Sequence, residues 1–116
     1  MSSNIYPRRF DDDGTDVTVD VHGLSVDEAL GLVDRTLQEA HRRGRTRVVV
    51  IHGSSSTDVG GRRTIKTELE RQLADGAYAT WVSGPRWSGD GGQCALWLQL
   101  GPPRNPSKIR VDDVVR

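Results

Sequence analysis

The chain has a single cysteine, Cys94, among its 116 residues. An internal disulfide is therefore impossible, and so is a zinc site built from four thiolates. Set in an apolar run, Cys94 reads as a small core residue. No hydrophobic stretch approaches the roughly 20 residues needed to cross a bilayer, and no basic-then-apolar signal segment opens the chain. The expectation is a soluble, cytoplasmic protein with no membrane partner. Net charge is also missing: sixteen basic and sixteen acidic side chains cancel, so total charge selects no partner. A Walker loop is absent too. "GSSSTDVGGRR" lacks the G-x-x-x-x-G-K-[ST] spacing, which argues against nucleotide hydrolysis.

What is present is unevenly distributed. Residues 41–66 hold seven cationic side chains (Arg42, Arg43, Arg45, Arg47, Arg62, Arg63, Lys66) against one anionic residue, Asp58. A segregated basic stretch of this kind suits phosphate, although a solvated surface also accounts for it. Chain length allows one domain with short tails. Residues 1–16 are polar and acidic and lack a hydrophobic period, so they read as a flexible leader. Residues 17–100 form the expected domain. Residues 101–116 form a proline-containing tail in which "IRVDDVV" could add an edge strand.

Within the domain, "VTVDVH" alternates β-branched residues with others and reads as a strand. Ser25 and Glu28 then have the spacing of a capping box, and Ala29, Leu30, Val33, Leu37 and Ala40 recur at helical spacing. His41 suits the dipole at that helix's last turn, and Gly44 the left-handed cap. "RVVVIH" is a second strand, apolar on both faces and so central. A second helix runs from about Arg62 to Ala74, followed by strands at "AYATWVS" and "CALWLQL", with "GPRWSGDGGQ" as the loop between them. The order is βαβαββ: an α/β, two-layer domain with two helices and a mixed four-stranded sheet. Its first two strands are parallel, joined by a right-handed crossover.

Two strands end alike, "VTVDVHG" and "RVVVIHG", with His22 and His52 thirty positions apart. In adjacent parallel strands both imidazoles would emerge at the carboxyl edge, where open α/β sheets hold ligands. Asp20 has the same strand parity as His22, and its charge between two valines needs a partner. A carboxylate beside an imidazole orients the ring and favours its cationic form. Gly53 and Ser54 lead towards a helix start whose N–H groups would attract phosphate. Gly91 and Gly92 would let backbone approach a phosphate, and Trp87 beside Arg86 could stack on a base. Trp81 and Trp97 read as residues covering the sheet or packing in the core.

These stretches resemble the Smr (small MutS-related) domain family. "VDVHGLSVDEAL" is similar to that family's leucine-aspartate-leucine-histidine-glycine-leucine opening before a capped helix. "VVVIHG" matches its second histidine-glycine strand, and "GDGGQCALWLQL" its glycine turn and last strand. Two places differ. "HGSSSTD" stands where members commonly have another glycine or a lysine-glycine pair, and Gln93, Cys94 and Ala95 stand where small residues and threonine are usual. The resemblance implies an α/β sandwich similar to the C-terminal domain of bacterial translation initiation factor three. It further implies nucleic-acid binding and, in many members, endonuclease activity that nicks DNA or cuts RNA.

Mapped onto this chain, the functional residues are Asp20, His22 and His52. The expected enzyme is a phosphodiesterase in which the two histidines divide base and acid roles and Asp20 sets the state of His22. Arg62, Arg63 and Arg86 would hold the backbone. RNA needs no metal, because its 2′-hydroxyl is the nucleophile; for DNA, a divalent ion such as Mg2+ or Mn2+ would help. With Asp20 the one evident carboxylate at this edge, a two-metal site is not expected. One alternative is a binding module without chemistry that grips a nucleic acid or the ribosome. The other is a mononuclear metal site made of Asp20, His22 and His52.

Overall fold

The computed structural model describes residues 6–53, 64–87 and 91–115, with Trp87 described by its backbone alone. The elements are β1 (Arg9–Asp12), β2 (Asp16–Asp20), α1 (Val26–Arg42), β3 (Arg47–Ile51), α2 (Ile65–Ala74), β4 (Val82–Trp87), β5 (Gln93–Leu98) and α3 (Val111–Val114). The sheet has five strands in the order β1-β2-β3-β5-β4. β2 and β3 are parallel, as expected from the crossover, and every other pairing is antiparallel.

Local rules account for α1. The Glu28 N–H donates to Ser25 Oγ (3.2 Å) while the Ser25 N–H donates to Glu28 Oε1 (3.1 Å). Two orphan donors of the first turn are thus satisfied reciprocally. Its inner stripe buries Ala29, Leu32, Val33, Leu37 and Ala40 completely. At the other end Gly44 has φ +72°, and a Cβ there would lie 2.6 Å from the Pro102 carbonyl oxygen. Only glycine serves both the left-handed backbone and the close passage of the tail.

Strand alternation divides the sheet into two faces. Val17 and Val19 from β2, Val21 just beyond it, Val48 and Val50 from β3, and Cys94 and Leu96 from β5 point into the core beside α1. Thr18, Asp20, Val49, Ile51, Ala95 and Trp97 take the opposite parity and are half-buried.

Five expectations are corrected. The sheet has five strands rather than four, and there are three helices rather than two among the described residues. The extra strand is β1, inside the segment read as a leader: Arg9 pairs with Asp20 and Asp12 with Val17. It shows no hydrophobic period because its inward residues are Phe10 and Asp12, and Asp12 is buried against a cation. Both oxygens of Asp12 accept from Arg45 (2.8 and 2.9 Å), and neither side chain is exposed. The Ile109 N–H donates to the same carboxylate (2.7 Å), and Arg45 also donates to the carbonyls of Asn105 and Ser107.

That node holds the tail. "IRVDDVV" adds no strand; it forms the short helix α3, seated by Arg35 Nε donating to the Val114 carbonyl (2.6 Å). "AYATWVS" is mostly turn, because backbone bonds such as Ala77 N–H to Gln72 O and Trp81 N–H to Tyr78 O carry the chain on from α2. β4 therefore starts at Val82 and takes in "GPRW", with Pro85 tolerated because this is an edge strand. α2 begins at Ile65 behind a Thr64–Thr67 capping box. The expected start near Arg62 lies outside the described residues.

Candidate functional site

β2 and β3 run in register, Asp20 opposite Ile51, and the ladder continues as the Val21 N–H donates to the Ile51 carbonyl (2.9 Å). Both histidine-glycine pairs therefore leave the sheet at its carboxyl edge, as expected. How they leave differs. The His22 main-chain N–H donates to Asp20 Oδ1 (3.0 Å), which turns the chain as the strand ends. Gly23 follows at φ +89°, the Leu24 N–H returns to the Val21 carbonyl, and Ser25 caps α1. Asp20 thus acts on His22 through the backbone, where ring contact was expected.

His22 itself is exposed. Its ring edge, Cδ2, lies 3.5 Å from the position that a Cβ on Gly53 would occupy, so the imidazole rests against the second histidine-glycine turn. His52 continues the inward parity of Val48 and Val50 and is only 5% exposed. Its Nδ1 stands 2.6 Å from the Gly53 carbonyl oxygen. A carbonyl only accepts, so Nδ1 carries the proton of this contact. The two histidines share one rim and flank one glycine, but His52 is turned to the covered face and His22 to solvent. The parity of "VVVIH" contained this signal, since His52 alternates with two valines of the core.

The glycine turn is stitched to the same rim. The Gly92 carbonyl accepts from the N–H groups of His52 (3.0 Å) and Gly53 (2.9 Å). The Gly53 N–H is therefore committed within the protein. Gly91 has φ +72°, and the Lys66 Nζ lies 3.1 Å from its hypothetical Cβ. Lys66, from the first turn of α2, thus joins the rim. The basic stretch was visible in the sequence, yet nothing in it singled out Lys66.

A model of the Smr domain matches residues 19–100. The chain belongs to the Smr domain family. Among solved structures it is similar to the Smr domain of Thermus thermophilus MutS2, with 27% identity and a TM-score of 0.56 over 71% of this chain and 96% of that one. No curated protein matches it. The family is one associated with nucleic-acid binding and nucleases.

The other expected residues of this Smr domain are dispersed. Arg86 is exposed on β4, opposite Ala95, on the open sheet face. Its guanidinium lies 5.5 Å from the Trp97 ring centre, and Arg47 approaches the same ring at 5.3 Å. Three strand spacings, about 14 Å, separate β4 from β2, so Arg86 is not beside His22. Trp97 covers the sheet, while Trp81 is half-buried in the turn before β4, one residue short of the strand it was expected to occupy. Ser54, Arg62, Arg63 and the Trp87 side chain lie outside the described residues.

Asp20, His22 and His52 do not make a metal site. Among the described residues no three histidine, cysteine or acidic side chains are grouped to hold an ion. With one Asp20 oxygen on a backbone N–H and His52 facing the core, the donor set does not fit a resident cation. Among the described residues no helix is long and apolar enough to cross a membrane.

Proposed function

We propose that this Smr domain binds nucleic acid at the carboxyl rim of β2 and β3 and cleaves its phosphodiester backbone there. One observation carries the reading: His22, whose main-chain N–H is held by the Asp20 carboxylate, rests its exposed imidazole against the Gly53 turn, which is hydrogen-bonded to the glycine loop that Lys66 approaches. On RNA, His22 takes the proton of the 2′-hydroxyl as that oxygen bonds to phosphorus. The bond from phosphorus to the 5′-oxygen breaks, and the leaving oxygen gains a proton from water. The products are a cyclic phosphate and a 5′-hydroxyl end. Lys66 faces the phosphate charge that builds up in this step. Asp20 and His52 are positioning residues: one fixes the backbone of His22, the other holds the Gly53 turn from beneath.

The test incubates wild type, His22→Ala and His52→Ala with supercoiled plasmid and with single-stranded RNA, each with and without EDTA. His22→Ala should lose roughly 10²- to 10⁴-fold in cleavage rate while nucleic-acid affinity is retained. Cleavage surviving that substitution would refute the assignment. EDTA sensitivity confined to plasmid would mark DNA as a substrate needing an added divalent ion.

A second reading is a binding module without chemistry, on RNA or on a ribosome. The commitment of the His52 and Gly53 N–H groups to the Gly92 carbonyl favours it, because those amides are then not free to stabilise a pentavalent phosphorus. Retained binding with no product from either substrate would decide for the module.

A further inference from the structure

Arg8 falls in the segment that sequence alone reads as a leader, yet the fold draws it to the histidine rim. Its N–H donates to the Asp20 carbonyl (3.0 Å), extending the β1–β2 ladder by one residue. Its side chain then crosses the end of β2. The Nη2 and Nε atoms lie 2.9 and 3.2 Å from the point where a Cβ on Gly23 would stand, and a bare glycine leaves that space open. Gly23 is the residue after His22.

Charge separates Arg8 from the arginines spent on structure. Arg9, Arg42, Arg43, Arg45, Arg47 and Arg71 each pair with a carboxylate. Arg8 is exposed and, among the described residues, makes no ion pair and no side-chain hydrogen bond. The nearby Asp20 carboxylate holds the His22 N–H. A planar guanidinium with unused donors, lodged one residue from an exposed imidazole, matches a backbone phosphate.

We infer that Arg8 is a phosphate-binding residue, holding the phosphodiester next to the one beside His22 and so setting the strand's path across the rim. This inference rests on the nucleic-acid reading above. Arg8 contacts the backbone and no base, so it contributes affinity and register without sequence preference. Together with Lys66 it brackets His22: one cation comes from the edge strand, the other from the first turn of α2.

The experiment measures the affinity of the full chain for a fluorescent single-stranded RNA over a salt series. The proteins are wild type, Arg8→Ala, Arg8→Lys and Arg104→Ala, each checked for folding by circular dichroism melts. Arg104 is the control: it is exposed and lies over Gly14, beside the turn that precedes β2, at the opposite end of that strand. Losing one phosphate contact on single-stranded nucleic acid should reduce the slope of log K against log salt by about 0.7. Arg8→Ala should show that reduction for RNAs of different sequence. Arg8→Lys should keep the wild-type slope, and so should Arg104→Ala. A wild-type slope in Arg8→Ala, or an equal reduction in Arg104→Ala, would overturn the inference while leaving nucleic-acid binding intact. Wild type that binds neither this RNA nor single- or double-stranded DNA at any salt concentration would overturn this inference and the functional reading together.

Discussion

Replacing Asp12 with alanine tests whether β1 is part of the fold or an appendage to it. Asp12 and Arg45 meet with no exposed side-chain surface, through two hydrogen bonds of 2.8 and 2.9 Å. Without Asp12 the guanidinium stays buried against the carbonyls of Arg43, Asn105 and Ser107, with no anion to balance it. The N–H groups of Gly14 and Ile109 lose their acceptor as well. Breaking a buried pair in this way costs about 3–5 kcal/mol. Total stability for a chain of this length is roughly 6–17 kcal/mol at about 0.05–0.15 kcal/mol per residue. With a urea slope of about 2 kcal/mol/M, the unfolding midpoint should fall by about 2 M, which tryptophan fluorescence will register. The double variant Asp12→Leu with Arg45→Met removes both charges and should recover much of the loss. A loss under about 1 kcal/mol in Asp12→Ala would refute the reasoning and return residues 9–12 to the status of a frayed leader.

Three further outcomes are expected. Burial alone would raise the Asp12 carboxyl, but hydrogen bonds from Arg45, Ile109 and Gly14 outweigh it and hold the group below its ordinary 3.8; Glu39, likewise buried, is held below 4.5 by Arg42 and Arg43. Depressed folded-state values stabilise the protein above the unfolded values and cease to do so as pH falls through the folded ones. The urea midpoint should therefore be level from pH 7 to 5 and drop below about pH 4.5, less steeply in Glu39→Gln. Burial, with a smaller contribution from Glu70, pushes the Cys94 thiol up to about 12; native protein should not react with Ellman's reagent at pH 8, and urea should release one thiol. Gly44→Ala forces a left-handed alanine, at about 1–2 kcal/mol, and sets a Cβ 2.6 Å from a backbone oxygen. Its melting temperature should fall by at least roughly 4 °C, and an unchanged melt would contradict the close passage of the tail.

Some of this molecule is written in short stretches of sequence. The Ser25–Glu28 box, the apolar stripe of α1 and the alternation through Val17, Val19 and Val21 each depend on residues within a few positions of one another. Those are the distances over which helix caps and strand pleats act. The crossover rule then follows from chirality, and it made β2 and β3 parallel neighbours. Even the inward turn of His52 was legible, in its parity with Val48 and Val50.

Closure decided the rest. "RFDD" becomes a strand because Arg45, thirty-three residues away, buries Asp12. "IRVDDVV" becomes a helix because Arg35, seventy-nine residues from Val114, takes its carbonyl. Asp20 turned from the His22 ring to the His22 N–H, and Lys66 and Arg8 arrived at the rim from separate elements. A buried charge or an unpaired carbonyl must find a partner wherever the fold offers one, and sequence spacing says nothing about which distant residue that will be.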